Sequence, residues 1–166
     1  MAHTYQHRID QLLERLARQL ESRGQWVTTA ESCTGGGVAC ALTARPGSSA
    51  WFEFGFVTYS NRAKQQLLGV PETIFTEQGA VSQACVEAMA QGALAASGAD
   101  YAVAISGIAG PDGGTVDKPV GTVWFGWAAR DGTPVSRRLQ FVGDRAAVRE
   151  AAIDQGLRGL LALIEK

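Results

Sequence analysis

The run Glu31-Ser32-Cys33-Thr34-Gly35-Gly36-Gly37 sets a hydroxyl, a thiol and three glycines where a strand pattern gives way to a helical one. Two chemistries fit such a seam. Backbone N–H groups at a helix start can cradle a phosphate or a developing oxyanion, here from Thr34, Gly35 and Gly36. A side chain on a strand-to-helix turn can also be presented as a nucleophile. The segment is not a P-loop, because the Gly-Lys-Ser/Thr ending is missing. Ser32 and Cys33 are both candidate nucleophiles. The alternatives are a capping Ser or Thr with glycines allowing close packing, and a Cys33 that is only a small buried hydrophobe.

A nucleophilic serine needs a base. The two histidines, His3 and His7, lie at the start of the chain, where a solvated, frayed terminus is expected. Their i, i+4 spacing lacks a third metal ligand, and a Ser-His-Asp triad in the core is excluded. Lysine is the usual substitute if its pKa is lowered enough to leave some free amine. If Asn61 caps the helix that follows, Lys64 sits in the first turn. There the positive end of the helix dipole, and burial, would disfavour its ammonium form. On spacing alone a solvated surface lysine fits better. Tyr59 ends an aromatic strand pattern and can bring its hydroxyl to the same place or leave it in water.

A second glycine cluster, Ser106-Gly107-Ile108-Ala109-Gly110 and on to Gly114, follows an apolar run. Ligands in open α/β sheets bind beyond the carboxyl ends of strands, so Ser106, Gly107 and Gly110 are expected to face the crevice of Ser32. Arg145, in Gly143-Asp144-Arg145, precedes a helical pattern and suits bidentate contact with a phosphate or carboxylate, or a surface ion pair. Glu31, Asp112 and Asp117 can orient neighbouring groups. No metal-ligand spacing occurs, and neither a metal nor a cofactor is expected.

The elements that must position these residues follow from periodicity. Ile9, Leu12, Leu13, Leu16 and Leu20 mark an amphipathic helix stopped at Gly24. Residues 25–30 predict a buried strand, 35–44 a helix, and the aromatic run 52–59 a second strand. Asn61 and Gly69 bound a short helix, and Ser82 and Gly98 a longer one. The continuous apolar run 100–106 predicts a central, doubly covered strand. Asp131-Gly132 predicts a hairpin between strands at 122–129 and 135–142. Asp144 caps a last helix. The expected fold is a single three-layer α/β/α domain over 1–166, with a mixed, mostly parallel sheet and an antiparallel edge hairpin. Trp51, Trp124 and Trp127 are expected in the core or at an interface, ahead of stacking on a base.

Composition narrows the function. The 166 residues carry a net charge of −1 with no basic block, which counts against an extended nucleic-acid footprint. No apolar run approaches the roughly 20 residues that span a bilayer, and no signal-peptide pattern opens the chain. Three cysteines without paired spacing fit reduced thiols, so the cytoplasm is expected. Apolar edge strands and aromatics point to a homodimer.

Six ordered stretches, "TTAESCTGG", "GFVTYSNRAK", "GAVS", "AISGIAGPDGG", "KPVGTVW" and "GDR", resemble the CinA C-terminal domain family. The match is close to its stand-alone bacterial members, which act as nicotinamide-nucleotide amidases. Larger CinA proteins add an N-terminal domain, for which these residues leave no room. The resemblance implies hydrolysis of the carboxamide of nicotinamide mononucleotide (NMN), giving nicotinic acid mononucleotide and ammonia, in pyridine nucleotide salvage. It also implies Ser32 as nucleophile, Lys64 as its partner and Tyr59 as an associated polar group. Two other classes stay open: a mononucleotide sensor that does not turn its ligand over, and an interaction module in competence or DNA damage. An ordinary thiol hydrolase using Cys33 is a third.

Overall fold

Burial along the strands follows their place in the sheet. A computed structural model describes residues 2–166. Its five strands are β1 (Val27–Glu31), β2 (Phe52–Val57), β3 (Tyr101–Gly107), β4 (Thr122–Ala129) and β5 (Val135–Gln140), in the order β2-β1-β3-β4-β5. All of β1 and the interior of β3 are buried, while β2 and β5 alternate or are exposed, as edges do. β1 runs parallel to β2 and β3; β3-β4 and β4-β5 are antiparallel. The sheet is therefore mixed as expected. Its pairings divide evenly instead of being mostly parallel, because β3 returns to β4 through the glycine-rich loop and not through a crossover helix.

Six helices cover the two faces: α1 (Ala2–Arg23), α2 (Gly37–Thr43), α3 (Asn61–Leu68), α4 (Glu72–Glu77), α5 (Gln83–Ser97) and α6 (Arg145–Ile164). On one face, Leu16, Leu20, Leu42, Trp51, Phe125, Leu157 and Leu160 form a core with α1, α2 and α6. Each such leucine contributes roughly 2 kcal/mol by leaving water. On the other, Val86, Met89, Ala90 and Ala93 of α5 pack against Ala102 and Ala104 of the sheet and Leu68 of α3. The small residues let α5 lie close. A methyl added at Gly92 would sit 2.0 Å from the Leu68 carbonyl oxygen, so α5 and α3 touch backbone to backbone. Trp51 and Trp127 are core residues and Trp124 packs against the second core, as expected.

Several boundaries differ from expectation. Ser60, not Asn61, caps α3: its hydroxyl accepts the Ala63 N–H at 3.0 Å. Asn61 is the first helical residue, which makes Lys64 the fourth. α2 begins at Gly37 and not Gly35, because Gly36 takes φ 96°. β2 stops at Val57, which frees Thr58 and Tyr59 to leave the sheet. α4, opened by Pro71, was not anticipated; none of its residues is buried. His3 and His7 lie within α1 and not in a frayed end, exposed to solvent. No helix among the described residues is long and apolar enough to cross a membrane.

α6 lies on the sheet through two glycines. Trp127 Nε1 donates to the Gly156 carbonyl at 3.0 Å, and a methyl at Gly159 would sit 2.1 Å from the Trp127 ring.

Candidate active site

Sheet pairing carries past β1 into the loop: the Ser32 N–H donates to the Ile105 carbonyl at 2.9 Å. Ser32 is thereby held at the carboxyl end of the two central strands. Lys64 arrives from the opposite layer. Its Nζ donates to the Thr58 carbonyl at 2.7 Å and lies 3.0 Å from Ser32 Oγ. The residue is 2% exposed and has no ion-pair partner among the described residues. Burial holds its pKa below the ordinary lysine value, outweighing the Cys85 and Cys33 thiols, which act in the opposite sense. A neutral amine satisfies this geometry: one N–H to Thr58, the lone pair toward the Ser32 hydroxyl.

Cys33 is 6% exposed, and burial pushes its thiol up to about 11. Almost no thiolate exists near pH 7, so of the two adjacent candidates only Ser32 has an activating partner.

Both side chains open on a cavity of about 300 Å³. Tyr59, Ser106, Gly107, Gly110 and Arg145 line it, as do Asn61 and Asp112. Thr34, Gly35 and Gly36 do not; Thr34 is fully buried behind its neighbours in sequence. Asp117 lies in the exposed loop before β4, outside the lining. Tyr59 is 61% exposed, and its hydroxyl accepts from Arg145 Nη2 at 2.9 Å, making no hydrogen bond to Ser32 or Lys64. Arg145 Nη1 donates to the Gly110 carbonyl at 2.9 Å. Arg145 thus ties the Tyr59 segment to the second glycine loop at the first turn of α6. A larger hollow, about 350 Å³ between β4, β5 and the end of α6, contains Trp127, Arg137 and Lys166 and no comparable nucleophile-base pair. No group of three or more metal-ligating side chains occurs among the described residues.

The loop between β1 and α2 is fastened at both ends. Both Glu31 carboxyl oxygens accept backbone N–H groups of α2, from Val38 at 2.8 Å and Ala39 at 3.0 Å. This fully buried side chain satisfies two of the four amides a helix start leaves unpaired. Glu31→Ala is expected to cost about 2–4 kcal/mol by stranding both donors, measured as the shift in urea unfolding. Unchanged stability would mean that water replaces the carboxyl group.

Arg149, one turn beyond Arg145, was missed in the sequence. Its guanidinium donates to the Cys33 and Thr34 carbonyls, both at 3.2 Å. The signal was present: i and i+4 on a helix share a face.

The CinA C-terminal domain model matches residues 9–164. A relative from Pseudomonas putida, named nicotinamide-nucleotide amidohydrolase PncC, is 60% identical over 156 residues, covering 93% of this chain and 96% of the relative. The protein of that name from Escherichia coli K12 is 58% identical over 150 residues, covering 90% and 91%. Among solved structures, the competence/damage inducible protein CihA from Agrobacterium tumefaciens superposes with a TM-score of 0.92 at 42% identity, covering 96% of each chain.

Proposed function

The chain belongs to the CinA C-terminal domain family, and we propose that it hydrolyses the carboxamide of NMN with Ser32 as nucleophile and Lys64 as base. The observation that carries this reading is the buried Ser32–Lys64 pair, 3.0 Å apart at a cavity mouth. The names of relatives that match nearly end to end supply the substrate.

Neutral Lys64 takes the Ser32 proton as Oγ attacks the carboxamide carbon. The resulting ammonium returns that proton to the nitrogen as the C–N bond breaks, releasing ammonia and leaving an acyl ester on Ser32. Water then attacks the ester, giving one proton to Lys64, which passes it to Ser32 Oγ as nicotinic acid mononucleotide departs. Proton transfer is direct, and Tyr59 serves the cavity through Arg145. Backbone amides of the β1–α2 loop hold the oxyanion, each donor worth about 3–4 kcal/mol. No metal or cofactor enters. The reaction fits pyridine nucleotide salvage in the cytoplasm. The exposed Phe54 and Val57 of the β2 edge and Leu67 of α3 support a homodimer.

Arg145 and the loop carrying Ser106, Gly107 and Gly110 hold the ribose 5′-phosphate, which turns remote binding into orientation at the amide. Arg145→Ala is expected to raise the KM for NMN about 10- to 100-fold with a smaller change in kcat, since a charged hydrogen bond contributes about 1.5–3 kcal/mol. Steady-state kinetics check this; an unchanged KM would take the phosphate away from Arg145. The function itself is tested by ammonia release from NMN in the presence of EDTA. Binding of NMN without ammonia would make the protein a sensor.

A further inference from the structure

We propose that Arg149 is a positioning residue for the oxyanion-binding amide of Cys33, acting through the turn that the Gly35 N–H closes onto the Ser32 carbonyl. This rests on the Ser32–Lys64 reading above. A guanidinium half-buried on α6 normally meets a carboxylate; Arg149 has none within 4 Å among the described residues and instead holds two consecutive carbonyls. In a trans peptide the N–H points opposite to the C=O. Holding the Cys33 carbonyl therefore turns the Thr34 N–H away from α6, and holding the Thr34 carbonyl does the same for Gly35.

The fates of those amides separate their roles. The Gly35 N–H closes a turn onto the Ser32 carbonyl at 2.9 Å, and the Gly37 N–H reaches the Thr34 carbonyl at 2.9 Å. Val38 and Ala39 give theirs to Glu31. Among the described residues, the Cys33, Thr34 and Gly36 amides donate to no protein group, and of these residues only Cys33, which follows Ser32 directly in the chain, lines the cavity. The Cys33 amide is the donor left for an oxyanion on the carbon that Ser32 attacks, and the Gly35 N–H fixes it by holding the Ser32 carbonyl of the same peptide. The set expected from the sequence, Thr34 to Gly36, thus gives way to Cys33, because the Gly35 amide is already engaged and neither Thr34 nor Gly36 lines the cavity. The Arg149 charge also lies at the carbonyl end of two peptide dipoles. It strengthens the Gly35 N–H as a donor to the Ser32 carbonyl, and that bond in turn polarises the Cys33 N–H of the same peptide.

Arg149 lies outside the cavity lining, so its loss should leave NMN binding nearly intact and slow the chemical step. For Arg149→Ala, kcat for ammonia release is expected to fall about 10- to 100-fold, somewhat less than for removal of a donor itself, with KM within about twofold. Added methylguanidinium should restore part of the kcat of Arg149→Ala. Arg149→Lys, which can hold one carbonyl but not both, should lie between wild type and alanine and serves if the alanine protein does not fold. Wild-type kcat in folded Arg149→Lys and Arg149→Ala, or a raised KM at unchanged kcat, would overturn the inference while leaving the amidase reading standing. A wild-type protein that releases no ammonia from NMN would remove both.

Discussion

Ammonia release from NMN should fall on the order of 10⁴-fold or more in Ser32→Ala, and comparably in Lys64→Met. Each change removes one end of the 3.0 Å pair, and neither remaining group can act alone. The double variant should be no worse than Ser32→Ala, because residues that act as one unit are strongly non-additive. Additive losses would mean that Lys64 works apart from Ser32. The pH dependence carries the same logic with a definite sign. Lys64 must be neutral to accept the serine proton, so kcat/KM rises with pH through the Lys64 pKa and then levels. Burial sets that midpoint below the ordinary lysine value of 10.5. A midpoint at the ordinary value would refute the buried free amine. Stability follows the same direction: between the folded and unfolded pKa values only the unfolded chain holds the proton, so stability rises with pH across that window. Lys64→Met should lose this slope.

Gly92→Ala is expected to cost about 3 kcal/mol in stability and to lower kcat, although the substitution is far from solvent chemistry. Alanine is the better helix former by about 1 kcal/mol, so propensity alone predicts a gain. Packing decides otherwise. The new methyl would stand 2.0 Å from the Leu68 carbonyl oxygen, a backbone atom that can yield only if α3 moves. α3 carries Lys64 one turn before Leu68, so the displacement reaches the Ser32–Lys64 distance. Gln91→Ala, exposed on the same helix, should change stability by less than about 0.5 kcal/mol. Urea unfolding and turnover of the two variants check this pair. A stabilised Gly92→Ala would show that α3 and α5 can separate without loss.

How far such features can be read without coordinates depends on how local their causes are. α5 was legible because both its ends are set within a turn: the Ser82 hydroxyl accepts the Cys85 N–H, and Gly98 takes the left-handed conformation beyond it. The apolar run of β3 announced a doubly covered strand for the same reason. α3 was legible except at its cap, where Ser60 and Asn61 are both good capping types and only the backbone angle of Ser60 decides. α4 buries no residue and therefore leaves no periodic apolar trace. At the site, Ser32 was visible from its place at a strand-to-helix turn. Lys64 was not separable from a surface lysine on spacing, because its burial comes from α5, distant in the chain; the family resemblance carried that assignment. The roles of Arg149 and of the individual loop amides depend on which carbonyl points where, a property of tertiary contact that residue types do not encode.

The glycines that seat α6 on Trp127 act far from where they stand. Arg145 and Arg149 lie 14 and 10 residues before Gly159, which at about 1.5 Å per residue is roughly 21 and 15 Å along the axis. A rod fixed at one end transmits rotation and slip to the other, and here the other end borders the cavity. The tryptophan ring therefore works as a remote stop for the two arginines. It sets where Arg145 meets the cavity and where Arg149 meets the β1–α2 loop, so the alignment of the candidate site is partly written in the core.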